Sequence, residues 1–283
     1  MPTSVLTIVA GREAHLANQA KGLAACEPPP AEWVVVGMNE DAAPPECGVP
    51  VVRGRVDAEG RMPLAEARSE AARIASHDTL VFLDVDCIPA PDMLSAFEEA
   101  LAETDGLWMG DVRYLPKGAA AGDWTFETLR RDAVAHPLLP DLGGERLPSD
   151  RYELFWSLCF ACTRATWGRV GGFDAGYPGY GAEDTDFAFA ARAAGVPFGH
   201  CPARAFHQHH PVCKPPLNHF ASIIENARRF RGKWGVWPMD KWLGQFAERG
   251  LLRFDMGADV LEVVREPTAE EVDACRSDSP AGF

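Results

Sequence analysis

The apolar positions of this chain fall into short β-rich runs separated by stretches with helical spacing. Val5 to Val9 is a β-branched run ending at Ala10-Gly11-Arg12, and a helical pattern follows from about Glu13 to Cys26. Pro28-Pro29-Pro30 breaks that helix, Trp33 to Val36 predicts a second strand, and a Pro-rich loop surrounds a short third strand at Val49 to Val52. Leu64 to Ser76 is Ala-rich and favours helix. It leads into Leu80-Val81-Phe82-Leu83-Asp84-Val85-Asp86, which predicts a buried parallel strand closing on two acids. Ala90 to Glu103 predicts another helix, opened by Pro91-Asp92. Strands alternating with helices predict an α/β fold with a Rossmann-like parallel sheet.

After Gly106 the rhythm changes. Leu107 to Tyr114 predicts a further strand, Lys117 to Asp150 is rich in Gly, Pro and Asp and reads as loop, and Leu154 to Thr163 is strand-like. Asp184 to Ala194 predicts a helix, and Leu217 to Gly250 holds several amphipathic helical pieces with Trp234, Trp237 and Trp242. The simplest division is a catalytic domain over 1–216, with halves of about 1–105 and 106–216, and a helical extension over 217–283 packed on it.

Bulk composition narrows the function classes. With 283 residues, 47% of them hydrophobic and 24% charged, the chain has the apolar content of a globular protein. A net charge of -14 argues against a nucleic-acid binder, which carries a basic footprint. No apolar run approaches the roughly 18–20 residues that span a bilayer. The first residues lack a basic, signal-like start, so a cytoplasmic location is expected. The eight cysteines are scattered; Cys159-x-x-Cys162 lies in an apolar run and predicts buried reduced thiols rather than a zinc or redox pair.

Three polar clusters carry candidate chemistry. Asp84 and Asp86 are spaced i and i+2, so in a regular strand both carboxylates share one face. Like charges that close need a cation or hydrogen bonds to compensate, and the end of a strand in an open α/β sheet is where ligands bind. A divalent metal carrying a phosphate answers both points; a turn whose acids cap the next helix near Asp92 is the alternative. In the second cluster, Gly179-Tyr180-Gly181-Ala182-Glu183-Asp184-Thr185-Asp186, flexible glycines precede acids at a helix start. Asp186 reads as a helix cap, while Glu183 and Asp184 exceed what capping requires. The third is Phe206-His207-Gln208-His209-His210, either a set of imidazole ligands or a surface patch.

Taken in order, these segments resemble the family-2 nucleotide-sugar glycosyltransferases of GT-A fold, with a galactosyltransferase-like C-terminal half. The Phe-Leu-Asp-Val-Asp run resembles the Asp-x-Asp motif of that family. Gly171-Gly172-Phe173-Asp174 through Glu183-Asp184-Thr185-Asp186 to Arg192 resembles its acceptor and catalytic segment, and Ala205-Phe206-His207-Gln208 the late segment whose His completes the metal site. The likeness runs from about Ser4 to Pro211; the tail is matched only loosely.

The resemblance implies a mixed, mostly parallel GT-A sheet flanked by helices, and a metal-dependent, inverting transfer of a sugar from a nucleoside-diphosphate sugar, a UDP-sugar first, to an acceptor hydroxyl. It implies Mn2+ or Mg2+ held by Asp86 and His207, with His209 as the alternate ligand. Asp84, Ala10, Arg12 and Arg68 would approach the nucleotide, and Asn39 stands where many members carry an Asp that reads the base. Asp184 would be the base, with Glu183 hydrogen-bonding the acceptor. Trp156, Tyr180 and Gly181 would face the acceptor, which is a glycan, a lipid or a small molecule; core packing is the competing role for the two aromatic residues. A sugar-phosphate nucleotidyltransferase and a non-catalytic nucleotide-sugar binder are the rival readings. Nucleotidyltransferases carry a Gly-rich, basic phosphate loop near the N-terminus, of which Thr7 to Arg12 is a poor version.

Overall fold

A computed structural model describes residues 1–277; the last six residues of the expected extension lie outside the described part. The chain order begins with β1 (Thr3–Val9), α1 (Glu13–Ala24), β2 (Glu32–Met38), β3 (Val51–Val56), α2 (Leu64–Ile74), β4 (Thr79–Leu83), β5 (Cys87–Pro89), α3 (Met93–Glu103) and β6 (Leu107–Tyr114). It continues with α4 (Phe126–Asp132), two short strands β7 (Val134–Ala135) and β8 (Leu147–Ser149), β9 (Cys159–Thr163), α5 (Arg164–Val170), α6 (Glu183–Ala193) and β10 (Phe198–His207). The remainder is β11 (Val212–Cys213), α7 (Phe220–Trp234), α8 (Asp240–Glu248), a hairpin of β12 (Leu252–Asp255) and β13 (Val260–Val263), α9 (Ala269–Ala274) and β14 (Arg276–Ser277).

The main sheet has the order β3-β2-β1-β4-β9-β6-β10-β5. β3, β2, β1 and β4 pair in parallel, as do β6 and β10. β9 runs antiparallel to both β4 and β6, so those two strands point the same way, and β5 runs against β10. The sheet is therefore mixed and mostly parallel, as expected. Its middle strands are buried on both faces, which explains their near-continuous apolar sequence.

Period-2 alternation sorts the strand residues into two cores. Val5, Val9, Trp33, Val35, Val81 and Leu83 pack with Leu16 and Leu23 of α1 and Phe97 of α3. Leu6, Ile8, Val34, Val36, Leu80 and Phe82 pack on the other side with the alanines of α2 and with Phe187 of α6. The CxxC pair lies in β9 as two buried free thiols.

Three expectations are corrected. The extension is not purely helical: the β12–β13 hairpin joins α7 and α8 around a core of its own, and Cys275 beside α9 forms a disulfide with Cys213 of β11. Asp84 and Asp86 are not strand residues, because β4 ends at Leu83 and the acids occupy the turn into β5, closed by Cys87 N–H donating to the Asp84 carbonyl at 2.8 Å. Asp186 does not cap α6. Its buried carboxylate accepts from the Tyr177 hydroxyl at 2.9 Å and the Trp234 indole at 2.6 Å, and pairs with Lys233 at 2.8 Å, tying α6 to α7.

Candidate active site

A cavity of about 910 Å³ opens where the ends of β1, β4 and β10 meet the start of α6, at the upper end of the roughly 300–1,000 Å³ of small-molecule sites. Ala10, Arg12, Arg68, Asp84, Asp86, Trp156, Tyr180, Gly181, Glu183, Asp184 and His207 all line it. Two of the predicted residues stand apart. Asn39 does not line the cavity: its amide donates to the Arg61 carbonyl at 2.9 Å and accepts from Ala58 N–H at 2.7 Å, pinning the loop before α2. Met38, Arg61 and Met62 face the cavity in its place.

His209 also stands outside. Among the described residues, Asp86, His207 and His210 could share a cation, their ligand atoms all lying within 4.8 Å of one another. His207 Nε2 is 3.5 Å from Asp86 Oδ1, and His210 Nε2 is 3.4 Å from Asp86 Oδ2. Because β10 ends at His207, the i+2 alternation that would put His209 on the same face no longer holds, and the chain turns His210 back instead. One carboxylate and two imidazoles are a donor set suited to a first-row divalent ion.

Arg12 Nη1 lies 3.4 Å from Asp86 Oδ2, its backbone left-handed at φ 60° as the chain turns from β1 into α1. Burial alone would raise the carboxyl pKa of Asp86, but His207, His210 and Arg12 hold it well below the usual range. Asp84 is pushed up to about 6 by burial, with Asp86 adding to the rise and Arg68 opposing it. Arg68 is the buried cation of the cavity floor: Nη2 reaches Asp84 at 3.2 Å and Nη1 faces Glu183 at 3.6 Å. That Nη1 has no hydrogen-bond partner, so the floor keeps one unspent donor.

The second acidic cluster is held by its loop. Gly179 and Gly181 adopt φ of 66° and 105°, and a Cβ at Gly181 would meet Met239 Sδ at 2.9 Å. Asn226 of α7, fully buried, donates to the carbonyls of Pro178 at 3.0 Å and Gly181 at 2.8 Å. Glu183 Oε2 accepts from Gly181 N–H at 2.8 Å, so the carboxylate helps to hold the loop, while Oε1 faces Arg68 Nη1 at 3.6 Å. Asp184 is the more exposed of the two; its Oδ1 accepts from Thr185 N–H at 2.8 Å. Burial raises its pKa, against the pull of Arg68. Tyr180 stacks on His219, with ring centroids 4.5 Å apart, and lies 5.9 Å from Trp242. These contributions from the extension, Asn226 among them, carry no local sequence signal; they are assembled only by the fold.

Glu183 gives the metal-free protein a pH signature. Its pKa is pushed up to about 7 by burial and by Asp184, with Arg68 opposing. The folded state thus holds this proton more tightly than the unfolded chain, where a Glu titrates near ~4.3. The stability it contributes is full below that value and is lost as pH rises through the folded pKa. The melting temperature of the metal-free protein should therefore fall between about pH 5 and pH 8, and Glu183→Gln should flatten the fall. An equally steep fall in that variant would remove Glu183 as the cause.

Residues 147–211 match a family model described as the N-terminal domain of galactosyltransferase, a segment that carries α6, β10 and both candidate histidine ligands. The fold resembles S. aureus TarS residues 1–349, at a TM-score of 0.55 and 13% identity, covering 82% of this chain and 66% of that one. It also resembles GalNAc-T7 solved with UDP, GalNAc and Mn2+, at a TM-score of 0.59 and 16% identity, covering 88% of this chain and 50% of that one. This chain has the GT-A glycosyltransferase fold. A second TarS structure, holding UDP-GlcNAc, matches at a TM-score of 0.55 and 12% identity over 82% of this chain and 67% of that one. The chain thus spans about half of the GalNAc-T7 chain and about two thirds of the TarS fragment. No curated protein matches it in sequence. Among its described residues no helix is long and apolar enough to cross a membrane.

Proposed function

We propose that this glycosyltransferase moves a sugar from a nucleoside-diphosphate sugar, a UDP-sugar first, to an acceptor hydroxyl with inversion at the anomeric carbon. The observation that carries the reading is the meeting of Asp86, His207 and His210 in the same cavity as a partly exposed Asp184. The TarS and GalNAc-T7 structures, which hold UDP-GlcNAc, or UDP with GalNAc and Mn2+, support the donor class.

Asp86, His207 and His210 fit a resident Mn2+ better than Mg2+, which prefers an all-oxygen shell. When bound, the ion would neutralise charge on the departing diphosphate. Arg12 and Arg68 add fixed positive charge on the same side, and the unspent Nη1 of Arg68 can meet a donor oxygen. Asp184 accepts the acceptor's hydroxyl proton as the new C–O bond forms and the bond to the diphosphate breaks. Glu183 and Asn226 hold the loop that aims Asp184. Tyr180 and Trp156 give apolar surface to the acceptor.

A panel of UDP-, GDP- and TDP-sugars with Mn2+ and candidate acceptors tests the reading. The expected product is a nucleoside diphosphate together with a glycoside of inverted configuration. Release of pyrophosphate would favour a nucleotidyltransferase, and binding without any turnover a non-catalytic relative.

A further inference from the structure

The candidate metal ligands lie where strands end. One segment is the turn at Asp84–Asp86 and the other is the stretch from His207 past the end of β10 to His210. Strand pairing fixes His207, opposite Cys87 of β5 and Tyr114 of β6, but neither the Asp84–Asp86 turn nor the stretch beyond His207. Both are gripped instead by one helix, α1, through two adjacent amide side chains.

Asn18 Nδ2 donates to Gln208 Oε1 at 2.7 Å and to the Ala120 carbonyl at 2.9 Å, while Asn18 Oδ1 accepts from the Trp124 indole at 2.8 Å. Gln208 sits between the two histidine ligands and is 3% exposed. Its own Nε2 returns to the His15 carbonyl on α1 at 3.1 Å, and its backbone N–H donates to the Asp86 carbonyl at 2.6 Å. One residue thus joins the histidine stretch, the Asp86 turn and α1. Gln19, fully buried, holds the other side: Nε2 donates to the carbonyls of Asp84 at 2.8 Å and Cys87 at 3.1 Å, and Oε1 accepts from Thr7 at 2.9 Å.

We propose that Asn18, acting through Gln208, is a positioning residue for the metal site, with Gln19 holding the opposite turn. This rests on reading Asp86, His207 and His210 as the ligands. Gln19 and Gln208 are buried amides whose bonds end at the ligand-bearing segments, and the half-buried Asn18 ties Gln208 to α1 and to the Ala120–Trp124 loop. Outer contacts of this kind set the spacing of metal ligands, and losing one costs about 10–100-fold in metal affinity.

The test uses the full chain and Mn2+ alone, followed by the loss of the free-ion signal in electron paramagnetic resonance. Asn18→Ala and Gln208→Met should each raise the Mn2+ dissociation constant about ten-fold or more. The double variant should be no weaker than the worse single one, since both remove the same bond. Lys21→Ala, on the same helix but bonded only toward Trp124, should bind as the parent does. Thermal unfolding without metal checks the fold, and if Asn18→Ala does not fold, Gln208→Met decides. A folded variant that binds Mn2+ within about two-fold of the parent overturns the positioning role, and so do losses that multiply in the double variant. A parent that binds no Mn2+ overturns the ligand assignment and this role together; a parent that binds while the variants are unaffected overturns this role alone.

Discussion

Asp184→Asn should lower turnover by about two or more orders of magnitude, the usual worth of a positioned general base. Asparagine keeps the shape, and its Oδ1 can still accept from Thr185 N–H as Asp184 does at 2.8 Å. What it loses is the capacity to take a proton. Burial raises the pKa of Asp184 against the pull of Arg68, and a more basic carboxylate is a better acceptor for a hydroxyl proton. Asp184 takes no part in the Arg12–Asp86 ion pair, so donor affinity should stay within a few-fold. A capping role predicts a different result. The residue in the cap position of α6 is Ala182, with φ 67° and no side-chain bond, so the helix start does not depend on Asp184. At most the substitution removes one favourable charge from the helix N-terminus, worth about 0.3–1 kcal/mol. Steady-state kinetics beside donor binding separate the two: full activity in Asp184→Asn, or a product retaining the donor's anomeric configuration, would take the residue out of catalysis.

Much of this frame is legible in the chain because burial leaves a mark on local sequence. β1, β2 and β4 are covered on both faces and read as unbroken apolar runs, and β6 is recognisable from Leu107 to Tyr114. Asp86, His207 and Asp184 were legible because each stands in a short motif beside a strand end or a helix start. The misses share a cause. His210, already one of the clustered histidines, takes the place expected of His209 because the chain leaves β10 at His207 and doubles back. Asn226 supports the Gly179–Gly181 loop from 45 residues away, and Asp186 is claimed by Lys233 and Trp234 of another helix. Asn39 occupies the expected base-reading position, yet the neighbouring loop takes both ends of its amide. Such choices are settled by tertiary contacts that periodicity does not encode.

Asp86→Ala should abolish metal-dependent donor binding and leave the fold in place. The Asp86 side chain is the hub of the site, facing His207, His210 and Arg12, and both imidazoles lose their shared carboxylate partner when it is removed. Two histidines alone do not complete a divalent site, and Arg12 then brings uncompensated positive charge toward it. Stability should suffer little, because the backbone bonds from Gln208 N–H to the Asp86 carbonyl and from Cys87 N–H to Asp84 do not involve the side chain. The measurement that bears most directly on the account is a calorimetric titration of UDP-sugar into parent and Asp86→Ala, each with and without Mn2+. The account predicts binding in the parent that needs Mn2+ and no Mn2+-dependent binding in the variant. Equal Mn2+-dependent binding in the two proteins, with the variant melting as the parent does, would contradict it.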